Sequence, residues 1–304
     1  MSGSDIPELD DELRLRLARR FGNVIETWLD RLPAVLEDLA ERWSIEWDEL
    51  IQRGSVSVVI RCRTADGRRA VVKVSPARER IAEEAAALAN WRTVHVPDVL
   101  ALDENAGALM IEAIDPGIPL VETHAYPGLE SVAALLRSLH DDAVTVLPFR
   151  PVADRIVNLF ESSMKLYEFK PDLVELISPE VYERSRDLAL RLAADASQAV
   201  LLHGDLTPVN VLDGGTGRGL VAIDPAPCVG DPAFDAIDLV FWRATDTSTI
   251  SARAEQLGPA IGVDADRLIE WCTAFAGMVA LEIAERPGGL REQVEPFLGL
   301  ASRI

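Results

Sequence analysis

The hydrophobic pattern changes period near Ile51, and that change restricts the chain to folds in which a small sheet unit precedes a helical one. Before it, residues 8–48 repeat apolar positions at roughly helical spacing: Leu13, Leu15, Leu17, then Phe21, Val24, Ile25, Trp28, Leu29 and Leu32, then Val35, Leu36, Leu39 and Trp43, with a break between two helices expected at Pro33. After it, 55–63 alternates, 65–68 supplies a turn and 69–75 alternates again, which predicts a β-hairpin. Residues 78–92 are rich in Ala, Glu and Leu with an Ile81, Ala85, Leu88 stripe, so a helix follows. Two further strands, 96–102 and 108–112, flank turn residues 105–107. The order strand, strand, helix, strand, strand marks a small α+β unit.

Beyond Asp115-Pro-Gly117 the period is mostly helical, at 129–141, 153–167, 179–196, 264–285 and 290–302. One β-rich island interrupts it, with 199–202, 210–212 and 219–223, the last two joined by a turn through 214–217. Three divisions are expected: a helical extension over 1–48, a sheet lobe over 49–114 and a helical lobe over 115–304. A chain of 304 residues is ample for a buried core, so disulfide-stapled scaffolds are excluded. Cys62, Cys228 and Cys272 are few and far apart, which argues against a disulfide framework or a zinc site and for a reducing cytoplasm. Neither an export signal nor a membrane span is expected, because the longest nearly apolar stretch, 272–281, is about half the ~20 residues a span needs.

Acidic residues outnumber basic ones 50 to 30, and a net charge of −20 repels phosphate backbones. Nucleic acid is therefore excluded as a partner and a cationic small molecule is favoured. Only Lys73, Lys165 and Lys170 are lysines, the other 27 basic residues being arginine. Lys73 lies in Val71-Val-Lys-Val74, a strand interior where burying an ammonium without a partner is costly, and Glu83 and Glu84 on the next helix are both placed to supply one.

The segment richest in chemistry is His203-Gly204-Asp205-Leu206-Thr207-Pro208-Val209-Asn210, followed by Ile223-Asp224. Asp205 and Asn210 lie on a loop between two short apolar strands, and Asp224 ends the next one. Carboxylate and amide oxygens so placed suit a hard cation such as Mg²⁺ bound to phosphates. Phosphoryl transfer needs a carboxylate to receive the alcohol's proton, oxygen ligands for the metal, and a lysine on the phosphates with a carboxylate to hold it.

With these residues the chain resembles the aminoglycoside phosphotransferase family, in its streptomycin and hydroxyurea phosphotransferase branch. The resemblance runs from the helical extension ending at Trp43, through Val71-Val-Lys-Val74, the Glu-Ala-Ala-Ala-Leu run before Trp91 and Met110-Ile-Glu112, to His-Gly-Asp with its Asn. Its most branch-specific part is 223–235, Ile-Asp-Pro-Ala-Pro-Cys-Val-Gly-Asp-Pro-Ala-Phe-Asp. It implies a two-lobed, protein-kinase-like α+β fold: a small mixed β-sheet N-lobe with the helical extension, and a mainly helical C-lobe. ATP and Mg²⁺ would lie between the lobes, and the γ-phosphoryl group would pass to a hydroxyl of a small, streptomycin-like molecule, with hydroxyurea, an amino sugar or another small metabolite as alternative acceptors and a nucleotide-binding protein without turnover as the alternative class. Asp205 would be the catalytic carboxylate, and Asn210 and Asp224 the Mg²⁺ ligands. Lys73, steadied by Glu84 with Glu83 as the alternative, would hold the α- and β-phosphates. Gly54, Ser55 and Ser57 would belong to the loop over the phosphates, and the backbone of Glu112, Ala113 and Ile114 would meet the adenine edge. A monomer or weak dimer is expected.

Other polar residues have plainer readings. His203 is expected to pack and hydrogen-bond rather than act as acid or base, and Asp231 and Asp235 to cap a helix and support the catalytic loop. Cys228 reads as a small packed residue. Asp141, Asp142, Glu282 and Glu285 are the acidic candidates for a cationic acceptor.

Overall fold

The computed structural model describes residues 7, 9–52, 56–141, 149–195, 198–285 and 291–304. The chain divides into two compact units, Met1–Asn90 with Val96–Gly117, and Trp91–His95 with Ile118–Ile304.

The first unit opens with α1 (Asp11–Phe21) and α2 (Ile25–Trp43). The Asp10 carboxylate caps α1 by accepting from the Leu13 amide at 2.7 Å. The break between the helices falls at Gly22-Asn-Val24, a single 3₁₀ turn, and not at Pro33, which lies inside α2. Gly22 has φ +71°, a left-handed conformation that ends α1. At Pro33 one backbone bond is forgone, but Leu29, Leu32, Leu36 and Leu39 continue one buried stripe across it, and that burial keeps the helix whole.

A five-stranded sheet follows in the order β1-β2-β3-β5-β4, antiparallel at every pairing: β1 (Ile45–Ile51), β2 (Val58–Thr64), β3 (Arg69–Val74), β4 (Val99–Asp103) and β5 (Ala108–Glu112). Helix α3 (Arg78–Asn90) links β3 to β4. β1 was not expected as a strand. It crosses the boundary anticipated at 48–49, so the helices and the sheet form one unit. Its alternation Ile45-Glu-Trp47 is broken by a bulge between Trp47 and Leu50, which blurs the period-2 signal.

One face of the sheet carries Ile60, Cys62, Ala70, Val72, Val74 and Met110, and these join Leu13, Leu17, Leu32 and Leu36 in a single core. Because strand side chains alternate, Lys73 projects to the other face.

The second unit is mainly helical: α4 (Leu129–Asp141), α5 (Val152–Met164), α6 (Leu166–Phe169), α7 (Pro179–Ala194), α8 (Ala233–Phe241), α9 (Thr247–Ala260), α10 (Ala265–Glu285) and α11 (Arg291–Ala301). Helix α10 is its spine, burying Trp271, Cys272, Phe275 and Leu281 and packing on α7, α8, α9 and α11. Two small sheets carry the loops. β6 (Ile118–Pro119), β8 (Val211–Asp213) and β9 (Leu220–Ala222) form one, and β7 (Val200–Leu202) pairs with β10 (Cys228–Gly230) in the other. Helices α8 and α9 and strand β10 were not anticipated. α8 is buried on nearly every side, so it shows no apolar stripe against a polar one. Among the described residues no helix is long and apolar enough to cross a membrane.

Candidate active site

In the first unit β3 is an interior strand, with Lys73 opposite Val59 on β2 and Leu109 on β5, so its lysine is no edge-strand guard. The Lys73 ammonium bonds the Glu84 carboxylate Oε1, and both residues are buried. Helix periodicity decides between the two glutamates: Glu84 shares the inward face with Ile81 and Leu88, while Glu83 is exposed. Ser57 is buried just before β2, whereas Gly54 and Ser55 lie outside the described residues. At the end of β5 the Glu112 amide donates to the Asp98 carbonyl at 2.9 Å and the Ala113 amide to the Arg69 carbonyl at 3.3 Å; Ile114 is buried.

In the second unit the His-Gly-Asp loop leaves β7 directly. Gly204 has φ +75°, and a Cβ there would stand 2.1 Å from the Ala226 carbonyl oxygen, so no other residue fits. The Gly204 and His203 amides both donate to the buried Asp235 carboxylate, at 2.9 and 2.8 Å, and the His140 imidazole meets it at 3.1 Å. Burial works to raise the Asp235 carboxyl, but the His140 hydrogen bond and charge, then the His203 charge and the Gly204 amide, outweigh it and hold the group below the usual carboxylate range. His203 is fully buried. One ring nitrogen faces the Ile223 carbonyl at 3.0 Å, the other accepts from the Asp205 amide at 3.4 Å, and the ring stacks on Trp91. It braces the loop. Asp231 caps α8 through the Ala233 amide and accepts from Arg267 and Trp271. Burial, and secondarily the Asp235 charge, pushes the Cys228 thiol far up, so it is an inert packed residue.

Asp205 is held at both oxygens. Arg155 on α5 donates from Nη2 to Oδ1 at 2.8 Å, and the Asn210 amide donates to Oδ2 at 3.0 Å and to the Asp205 carbonyl at 2.9 Å. With its amide nitrogen so committed, Asn210 has its carbonyl oxygen left for a cation. Asn210 immediately precedes β8, Asp224 follows β9, and the Ile223 amide donates to the Asn210 carbonyl at 2.9 Å, so the two side chains share one end of the β8–β9 hairpin. Asp224 takes the left-handed conformation, φ +59°, which turns the chain sharply after the strand. Amide and carboxylate oxygens are the donors a Mg²⁺ ion takes alongside phosphate and water. No three His, Cys, Asp or Glu side chains among the described residues gather as an all-protein metal site.

A cavity of about 200 Å³ opens beside the loop, lined by Asp205, Thr207, Phe234, Asp238, Phe275 and Glu282 among others. Burial, then the Asp205 and Glu282 charges, pushes the Asp238 carboxyl up to about 7, with Arg155 opposing. Glu282, one of the acidic candidates, lines this cavity. Asp141 and Glu285 are not among the lining residues, and Asp142 lies outside the described residues. Sequence reasoning missed Arg155, His140 and Asp238. Arg155 has no local motif, and Asp238 sits on the helix whose period was hidden.

Comparison with known proteins gives the same chemistry. The profile of a family described as aminoglycoside/hydroxyurea antibiotic resistance kinase matches residues 42–286. Streptomycin 6-kinase of Streptomyces griseus is 30% identical over 251 residues, covering 81% of this chain and 77% of that one. Hydroxyurea phosphotransferase of Kitasatospora aureofaciens is 28% identical over 275 residues, 88% of this chain and 76% of that one. Among solved structures, choline kinase LicA of Streptococcus pneumoniae superposes with a TM-score of 0.60 at 16% identity, over 89% of this chain and 98% of that one, which shows a shared kinase-like fold. The chain belongs to the aminoglycoside/hydroxyurea antibiotic resistance kinase family and is an ATP-dependent phosphotransferase acting on a small molecule.

Proposed function

We propose that the enzyme transfers the γ-phosphoryl group of ATP to a hydroxyl of a cationic aminoglycoside such as streptomycin, with Asp205 as the proton acceptor. The observation that carries this reading is the placement of Asp205: a carboxylate held at both oxygens on the wall of a cavity that also presents Asp238 and Glu282. An ammonium or guanidinium acceptor gains from two further carboxylates there, and Phe234 and Phe275 give its rings an apolar face.

The acceptor hydroxyl would donate to Asp205, its oxygen would bond the γ-phosphorus as the bond to the ADP oxygen breaks, and its proton would pass to the Asp205 carboxylate. Lys73, kept in place by Glu84, would hold the α- and β-phosphates. Mg²⁺ held by Asn210 Oδ1 and Asp224 would neutralise charge on the phosphate oxygens. Since the Glu112 and Ala113 amides already serve the first unit's own backbone, the adenine edge would use Ile114 or the carbonyls of this segment. Gly54, Ser55 and Ser57 would cover the phosphates. The enzyme would work in the cytoplasm, where ATP is made, as a monomer or weak dimer.

Incubating enzyme and ATP with streptomycin and seeking a gain of one phosphoryl group by mass spectrometry tests the acceptor. Asp205→Asn should bind ATP as before and lose about 10²- to 10⁴-fold in kcat. Near-normal turnover in that variant removes the assigned base. A smaller acceptor such as hydroxyurea is the second reading, favoured by the 28% identity to a hydroxyurea phosphotransferase. Running both acceptors side by side decides between them. ATP binding without product from any acceptor would leave only a nucleotide-binding protein.

A further inference from the structure

Arg155 lies 50 residues before Asp205, in the first turn of α5, and its side chain is largely withdrawn from water. Its guanidinium reaches two parts of the catalytic loop at once, donating from Nε to the Gly204 carbonyl at 2.9 Å and from Nη2 to Asp205 Oδ1 at 2.8 Å. Guanidinium nitrogens lie in a rigid plane, so two bonds from Nε and Nη2 fix the angle between the loop backbone and the carboxylate. A lysine in the same place has one point charge and cannot fix that angle.

The support behind this contact is also built in. Pro151, just before α5, forms a parallel bridge with Val229 of β10, and the Val229 amide donates to the Arg150 carbonyl at 2.9 Å. β10 in turn pairs with β7 through Cys228 and Leu202, and β7 runs straight into His203-Gly204-Asp205. A Cβ on Gly230 would stand 2.4 Å from Val152, so α5 starts tight against this ribbon. The helix that carries Arg155 and the loop that carries Asp205 are therefore both braced on the β7–β10 ribbon.

Taking Asp205 as the proton acceptor, we propose that Arg155 is a positioning residue that sets the plane of the Asp205 carboxylate toward the acceptor hydroxyl. In phosphoryl transfer, positioning supplies most of the catalysis. With Oδ1 held by Arg155 and Oδ2 by Asn210, the carboxylate cannot rotate, and each oxygen keeps a second lone pair for the cavity side.

Steady-state kinetics and thermal melts of Arg155→Lys, Arg155→Met, Arg155→Ala and Asp205→Asn test this. Arg155→Met should lose about 100-fold in kcat and Arg155→Lys about 10-fold, with KM for ATP within about 3-fold of the parent. Free guanidinium, at concentrations far below those that denature, should restore part of kcat to Arg155→Ala and none to Asp205→Asn. Should the alanine and methionine variants fail to fold, Arg155→Lys, which keeps the charge, decides by its kcat. The proposal is overturned if Arg155→Met, or Arg155→Lys in that event, turns over within about 3-fold of the parent. It is equally overturned if guanidinium fails to raise the rate of a folded Arg155→Ala. Full turnover in Asp205→Asn would sink the assignment of the base, while an inactive Asp205→Asn beside an undiminished Arg155→Met would sink only the role of Arg155.

Discussion

Lys73 in the first unit and Asp205 in the second, the two charges proposed to meet the phosphates and the acceptor, are taken wholly or partly out of water, and the chain secures them by opposite means. Lys73 stands inside a central strand, and the carboxylate of Glu84 on the following helix meets it in a buried pair. Asp205 stands on a loop with its side chain 37% exposed, and groups from α5, α8 and the loop itself converge on it or on the backbone before it. Regular elements need little to fix a side chain, because the strand and helix already fix its direction. A loop has no such geometry of its own, so its precision must be supplied from elsewhere in the sequence.

The comparison breaks most visibly if the first unit's pair proves dispensable. Glu84→Gln removes the charge that compensates a buried ammonium, and should cost about 3–5 kcal/mol of unfolding free energy in urea. Replacing both partners, as Lys73→Met with Glu84→Leu, should regain most of that stability while abolishing transfer, since two apolar side chains need no partner. A loss under about 1 kcal/mol from Glu84→Gln would mean that water reaches the pair and that the sheet face is not sealed.

This contrast also explains what could be read before the fold was known. The lysine, its helix and the two candidate glutamates follow from period 2 and period 3.6 alone, and the same periods settle on Glu84 once the helix faces the sheet. His203, Gly204, Asp205 and Asn210 lie within eight consecutive residues, so a motif reveals them. Their supports do not. Arg155 precedes the loop by 50 residues, and His140 reaches Asp235 from 95 residues away, distances over which sequence spacing carries no geometry. Asp235 was legible because it falls within the motif-bearing run, whereas Asp238, on the same helix, was hidden by burial all round α8. β1 was lost to its bulge, and Pro33 was credited with a break that packing overrides.

Asp235 sharpens the comparison at an intermediate size. Asp235→Asn keeps the shape but offers one acceptor oxygen to the His203 and Gly204 amides, leaving a buried donor unmet at a cost of about 1–3 kcal/mol. The folded protein holds this carboxyl below its unfolded value, so the stability it contributes is full above about pH 4 and is lost as pH falls through the folded value. Urea melts of parent and variant should therefore differ at pH 7 and converge in acid. A gap that stays constant down to pH 3 would show that the variant acts through packing rather than charge.

The smallest effect is set by Asp238, whose carboxyl the fold raises to about 7 through burial and then through the Asp205 and Glu282 charges. Its sign is the reverse of that at Asp235. Between about pH 4 and its folded value of about 7 the folded protein keeps a proton that the unfolded chain has released, so stability falls as pH rises across that window. Water entering the cavity screens part of this, and the fall should amount to about 1–2 kcal/mol, read as a lower Tm at pH 8 than at pH 5.5. Asp238→Asn has no proton to lose there, and its Tm should vary less across the same range. A cationic acceptor seated against Asp238 favours the charged form, so its binding near pH 6.5 should release protons, seen as a buffer-dependent heat in calorimetry. If Asp238→Asn releases as many protons on binding as the parent, the acceptor's charge is met elsewhere, and the cavity beside Asp205 serves the sugar rings alone.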